Sequence, residues 1–220
     1  GSLGVHASAC APEPAEAGTP NTAAGLPPHP PLKPSGLDWL GDIPAHWEVV
    51  PLGYIVRFSG GATPDKSNSA YWDGSIPWVS PKDMKVARIA DAEDHVSPEA
   101  LEKSALRLIP VDSVLIVVRG MILAHSFPVA LTTAPVTINQ DMKALTCGKR
   151  VTPQFLSWAF TGFAKTFVSF ADESAHGTRK LETETLKRFP FLLPPLPEQA
   201  AIAEYLDAET AKLDLLVGKV

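Results

Sequence analysis

The sequence predicts an α+β fold, a mixed globular domain followed by a protruding C-terminal coiled-coil helix, and three observations predict it. Short β-type runs are punctuated by Gly and Pro through the middle of the 220-residue chain. The stretch Thr152–Phe170 carries an apolar face at helical spacing. Residues Pro190–Asp207 then join an apolar strand to a helix through a proline-rich elbow. Strands and helices intermixed in this way imply packed α+β layers.

Taken in order, Trp47–Phe58 holds Val49, Val50, Tyr54, Ile55 and Val56 and reads as a strand interrupted at Pro51. Ser59–Asn68 is a Gly/Pro/Asp/Asn/Ser loop. Ile76–Val79 and Met84–Ala90 are short strand candidates. Ser97 caps a short helix through Ala105, with Pro98 in its first turn. Val111–Arg119 and Val129–Thr133 are strands around the Gly120 break. Thr152 caps the next helix, Pro153 opens it, and Phe155, Leu156, Ala159, Phe160 and Phe163 form its apolar face. Phe189 and Phe191–Leu193 make the last strand. Pro197 sits in the first turn of the terminal helix, and Glu198 supplies the negative charge a helix N-terminus favours. Ile202, Leu206, Leu213 and Val220 then recur on one side, with Thr210 and Val217 between them. No clear stop follows, since Gly218 is a weak one, so the helix is expected to run on beyond Val220.

The first 36 residues are dominated by Ala, Pro, Gly and Thr, contain few charges, and are read as a disordered tail. The most apolar segment, Val111–Val118, is interrupted by Asp112 and Ser113, so no membrane span is expected. Cys10 and Cys147, one in the tail and one in the domain, argue against a disulfide framework and for a reducing compartment. The net charge of −5 counts against nucleic acid as a partner, but it is unevenly spread. Leu101–Leu192 has eleven basic and seven acidic residues (+4), between an acidic Asp38–Ala100 (five basic, ten acidic) and an acidic Leu193–Val220 (two basic, five acidic). That middle presents either one cationic face or charges scattered over a solvated surface.

Most catalytic constellations are excluded. The loop Ser59–Pro64 is glycine-rich but lacks a P-loop's Lys-Ser/Thr ending and the G-x-G-x-x-G spacing, so a tight loop is the better reading. None of the six histidines stands at zinc-site spacing from another ligand, and no G-x-S-x-G elbow supports a hydrolase triad. Ala175–Lys180 is more suggestive. Gly177 allows close backbone approach, Thr178 can bond a phosphate, and Arg179 and Lys180 supply charge; a solvated turn is the alternative. Arg119 and the amides of Asn139 and Gln140 have base-reading chemistry, or else serve local turns. Trp47, Trp72, Trp78 and Trp158 read as core or loop anchors.

Two signatures frame the domain. Gly41–Gly53 reads GDIPAHWEVVPLG, and the elbow from Pro195 reads P-L-P-E-Q-x-x-I-x-x-Y-L-D. Between them, in order, come Gly61-Ala62-Thr63-Pro64, Tyr71–Gly74, Ile76–Val79, Asn139-Gln140 and Gly177-Thr178 before Leu181. The ordered set resembles the specificity subunit of type I restriction–modification enzymes over about Gly36 to Val217, nearly the whole chain after its tail. The resemblance implies a tail at 1–36, a target-recognition domain at 37–195 and a truncated dimerisation or spacer helix at 196–220. It implies a non-catalytic, cytoplasmic prokaryotic subunit that recognises double-stranded DNA and directs modification (methyltransferase) and restriction (motor and nuclease) subunits to a split target. S-adenosylmethionine and ATP would then lie on those partners, with no cofactor or metal on this chain. The DNA-facing residues it implies are Gly61, Thr63, Lys82, Lys85, Arg119, Asn139, Gln140, His176, Gly177, Thr178, Arg179 and Lys180. The helix residues it implies for partners or a second copy are Glu198, Gln199, Ile202, Tyr205, Leu206, Leu213 and Val217. Where a full subunit repeats both signatures, this chain has each once, so either two copies pair through Ile202–Val220 or the partner half is absent and the sequence is a fragment or a truncated gene. The alternative is a degenerate module that docks a modification subunit without reading DNA.

Overall fold

The computed structural model describes residues 30–173 and 177–218, and it is a mixed α+β structure. It comprises two compact units that divide between Ala45 and His46. In the first, Leu32–Pro34 pairs antiparallel with Asp42–Pro44, and Gly36 and Gly41 take positive φ (75° and 73°) in the connection. The tail expected over 1–36 is corrected at Leu32–Pro34, which is paired rather than disordered; residues 1–29 lie outside the described ones.

The second unit is built around a five-stranded sheet. Its strand order is Val56–Gly60, Met142–Cys147, Ser113–Val117, Val129–Thr132 and Arg88–Ile89, all antiparallel except the last pair. Every residue of Ser113–Val117 is buried, so this strand reads as a continuous apolar run rather than an alternating one. Helix α1 (Pro98–Lys103) is capped by Ser97, whose hydroxyl accepts from the Ala100 N–H at 3.2 Å. It covers a satellite cluster of Trp78, Val96, Ala100 and Leu106, with Trp72 edge-on to Trp78 at 5.1 Å.

Helix α2 (Pro153–Gly162) buries Phe155, Leu156 and Phe160, and α3 (Ala164–Ser169) buries Phe167. The sequence predicts one helix through Phe170; the structure breaks it at Phe163, immediately after Gly162. The break turns Phe167 onto Phe160 (centroids 4.6 Å apart), Phe127 (5.1 Å) and Phe189 (4.5 Å), a buried aromatic stack.

The expected strand across Trp47–Phe58 is also two elements. Glu48–Pro51 pairs with Pro190–Leu193, and a 3-10 turn at Leu52–Tyr54 then carries the chain to Val56–Gly60 in the other sheet. Met84–Ala90 shortens to Arg88–Ile89. Helix α4 (Thr183–Arg188) leads into Pro190–Leu193, and the elbow opens α5 (Leu196–Leu216). Among the described residues, no helix is long and apolar enough to cross a membrane.

Candidate nucleic-acid interface

Gly61 follows the edge strand of the main sheet and passes so close to the Ile138–Asn139 backbone that a Cβ would lie 2.1 Å from both carbonyl oxygens. Only glycine fits there. The Ala62 N–H donates to Ile138 O at 3.0 Å, and Trp78 Nε1 donates to Ala62 O at 2.9 Å. This pinned loop delivers the Thr63 hydroxyl to the Gln140 side-chain oxygen.

Asn139 and Gln140 do different jobs. Asn139 is 6% exposed, and its side-chain oxygen accepts the Asp141 N–H at 3.0 Å, so it shapes the turn. Gln140 is exposed. Asp141 then binds Arg119: its Oδ1 accepts from Nε at 2.6 Å, and its carbonyl accepts the Val118 and Arg119 N–H groups.

Arg119-Gly120 lies in a small antiparallel sheet against Arg179-Lys180, with Arg179 opposite Gly120 and Lys180 opposite Arg119. Asp172-Glu173 forms the third strand. Gly120 (φ 143°) and Gly177 (φ 75°) occupy left-handed backbone that other residues disfavour. Arg119 and Lys180 are about half exposed; Glu182, 2.6 Å from Lys180, is also half exposed, whereas Asp141, 2.6 Å from Arg119, is half-buried. The exposed Lys180–Glu182 pair is worth only about 0–1 kcal/mol, so a phosphate can displace it.

Gly61, Thr63, Asn139, Gln140, Arg119, Gly120, Arg179 and Lys180 thus join one continuous run of contacts, with Gly177 and Thr178 at its end. Two features missed in the sequence adjoin it. Met121 is 69% exposed beside Gly120. Lys143 is half-buried, and its Nζ occupies space that a Cβ on Gly60 would crowd at 3.1 Å. Neither had a local signal, since each is placed by the strand before or around it.

Lys82 and Lys85 are not joined to this run. Lys82 Nζ is held by Asp94 (3.0 Å) and Glu93 (3.1 Å), whose carboxylates raise its pKa above the ordinary lysine range. Lys85 lines a cleft of about 290 Å³ together with Phe127, Trp158 and Asp207. His176 lies outside the described residues. No cluster of metal-ligating side chains occurs among the described residues.

The two framing signatures touch each other. His46 Nε2 lies 2.6 Å from Glu198 Oε1, and Trp47 Nε1 donates to Glu198 Oε2 at 2.7 Å. Burial pushes the Glu198 carboxyl up, but the Trp47 and His46 bonds outweigh it and hold the group below the usual glutamate range. Gln199 is wholly buried. Its oxygen accepts the Thr152 N–H at 2.9 Å, and its amide donates to Arg150 O (2.8 Å) and Pro194 O (2.9 Å).

Farther along α5, Ala203 is buried, Ile202 packs on the main core, and Trp158 Nε1 donates to Asp207 Oδ1 at 2.9 Å. Leu206 is half-buried. Tyr205 (65% exposed), Leu213 (60%) and Val217 (64%) face outward. The expected pairing stripe therefore packs on its own domain as far as Leu206 and lies open beyond it.

A profile of the type I restriction modification DNA specificity domain matches residues 44–219. The chain is 34% identical over 170 residues to the Type I restriction enzyme EcoR124I/EcoR124II specificity subunit of Escherichia coli, covering 77% of this chain and 41% of that one. It is 29% identical over 172 residues to the MjaIX specificity subunit of Methanocaldococcus jannaschii, covering 76% and 38%. The chain thus spans about two-fifths of these relatives' length. Its fold resembles the HsdS subunit of Thermoanaerobacter tengcongensis, with a TM-score of 0.63 at 17% identity over 83% of this chain and 42% of that one. With that profile covering most of the chain, it belongs to the type I restriction modification DNA specificity domain family.

Proposed function

We propose that this chain is one target-recognition half of a type I specificity subunit, reading one part of a split DNA target and carrying no catalytic group of its own. The observation that supports it most is the continuous run from Thr63 and Gln140 through Asp141–Arg119 to Arg179 and Lys180. Cations and a backbone that a phosphate can approach position the duplex, and the exposed Gln140 amide and an arginine fork address base edges. In this reading 37–195 is the recognition domain and 196–220 the pairing and spacing helix. The helix joins a second copy or a separate half, and two copies would read a split palindrome. Methyl transfer with S-adenosylmethionine, and ATP-driven motor and nuclease activity, belong to the modification and restriction subunits that this chain directs in the prokaryotic cytoplasm.

Duplex binding of the purified chain at increasing salt tests this. Three phosphate-neutralising cations give a slope of about −2.7 in log affinity against log salt, so raising salt fourfold weakens binding by about 40-fold. Affinity that ignores salt, or none at all beside intact docking to a modification subunit, would support the interaction-only alternative instead.

A further inference from the structure

We propose that Glu198 is a positioning residue, which fixes the direction in which α5 leaves the domain by receiving His46 and Trp47 on its two carboxylate oxygens. The chain joins residues 152 and 151 positions apart at this point, at 2.6 and 2.7 Å. Glu198 lies in the first turn of α5, and His46 and Trp47 immediately precede the strand Glu48–Pro51 that pairs with Pro190–Leu193. The clasp thus ties the start of the helix to the strand pair on which the elbow turns. Two donors on two oxygens fix the plane of the carboxylate, and because His46 and Glu198 are 41% and 43% exposed the clasp biases the direction of the helix without adding much stability.

Small changes in direction are magnified by the helix. Among the described residues, Asp207, bonded to Trp158, is the last of α5 held by the domain, and Val217 lies ten positions beyond it. At 1.5 Å per residue that arm is about 15 Å long, so a tilt of about 10° moves its end by about 3 Å. This is roughly one base-pair step of 3.4 Å. Glu198 therefore sets, to about one step, the gap between the half-sites of a split target. That consequence rests on the proposed function; the geometry of the clasp does not.

The test is an electron-spin distance measurement on the full chain labelled at Lys165→Cys and Ala211→Cys, both exposed positions. The background is Cys10→Ser with Cys147→Ala, because the native Cys147 is only half-buried. The expected result is a narrow distance distribution in the parent and one about twice as wide in Glu198→Ala, with unchanged near-ultraviolet circular dichroism. Trp47→Phe, which replaces the indole by a smaller phenyl ring and removes the N–H donor, is expected to widen it too, and Glu198→Gln, which retains one acceptor oxygen, to fall between. Should Glu198→Ala fail to fold, Trp47→Phe decides. A parent-like distribution in the folded variants overturns the proposal, because Gln199, Ala203 and Asp207 would then hold the helix without Glu198. A widened distribution with an unaltered methylation gap in the complex would overturn the spacing role alone.

Discussion

Replacing Gln199 with Ala removes a side chain that ties α5 to both the end of the strand before it and the turn before α2. The buried amide makes three hydrogen bonds, to Thr152 N, Arg150 O and Pro194 O, at 2.8–2.9 Å. Each is worth about 1 kcal/mol net, and more where the abandoned partner stays buried. Three of them, with the cavity left by the amide, sum to about 3–4 kcal/mol. For a protein of this size about 3 kcal/mol lowers the thermal midpoint by about 6–12 °C. The matched control is Tyr205→Ala on the same helix, 65% exposed, which should change stability by no more than about 0.5 kcal/mol. Thermal melts followed by circular dichroism, with urea titrations alongside, compare the two. A Gln199→Ala midpoint that falls no further than that of Tyr205→Ala would refute the reasoning, because the elbow would then be held by apolar packing alone.

Gly61→Ala forces a methyl to within 2.1 Å of two backbone carbonyls, so the Asn139–Gln140 turn must move. A loss of at least about 3 kcal/mol in a urea titration is expected, with weakened duplex binding. Arg179→Ala removes one of three cations, so the salt slope should fall from about −2.7 to about −1.8, whatever the duplex sequence. Burial, with a smaller effect of the Asp112 charge, pushes the Cys147 thiol up to about 12. In a Cys10→Ser variant at about pH 8, that thiol should react with a disulfide reagent roughly three orders of magnitude more slowly than an ordinary cysteine, until urea unfolds the chain. The Glu198 carboxyl titrates below its ordinary value, so the stability it contributes is present above about pH 4.3 and is lost as pH falls through its folded pKa. Thermal midpoints measured down an acid series should therefore converge for the parent and Glu198→Gln.

Local signals in the sequence located many elements well. Ser97 and Thr152 are side-chain caps in the structure, and Ile76–Val79 is a strand with those bounds. The long terminal helix follows the proline elbow. Elements decided by distant neighbours were harder to read. Met142–Cys147 lies inside the main sheet, yet Met-Lys-Ala-Leu is a run of good helix formers, and only the strands on either side fix it as extended. Trp47–Phe58 is apolar enough for one strand, but its two halves find different partners, and no local pattern encodes that.

The candidate interface shows the same division. Gly61, Gly177, Arg119 and Arg179 stand out by residue type, whereas the bond from Thr63 to Gln140 spans 77 positions and comes from the fold. Asn139 and Gln140 look equivalent in sequence. Their different exposure follows from the turn that Asn139 itself closes on Asp141. The sequence marks the elbow as a surface for partners, but Glu198 and Gln199 are engaged by their own domain, because the fold brings His46, Trp47 and Arg150 to the start of the helix.

The most direct test of the central claim is a methylation map of plasmid DNA from cells that co-express this chain with the modification subunit of its own system. Adenine methylation is expected at a split target, palindromic if two copies pair through α5, with loss of that pattern on substitution of Arg119 together with Arg179. Plasmid that stays unmethylated while the two proteins still co-purify, in the presence of any separately encoded second half, would contradict it.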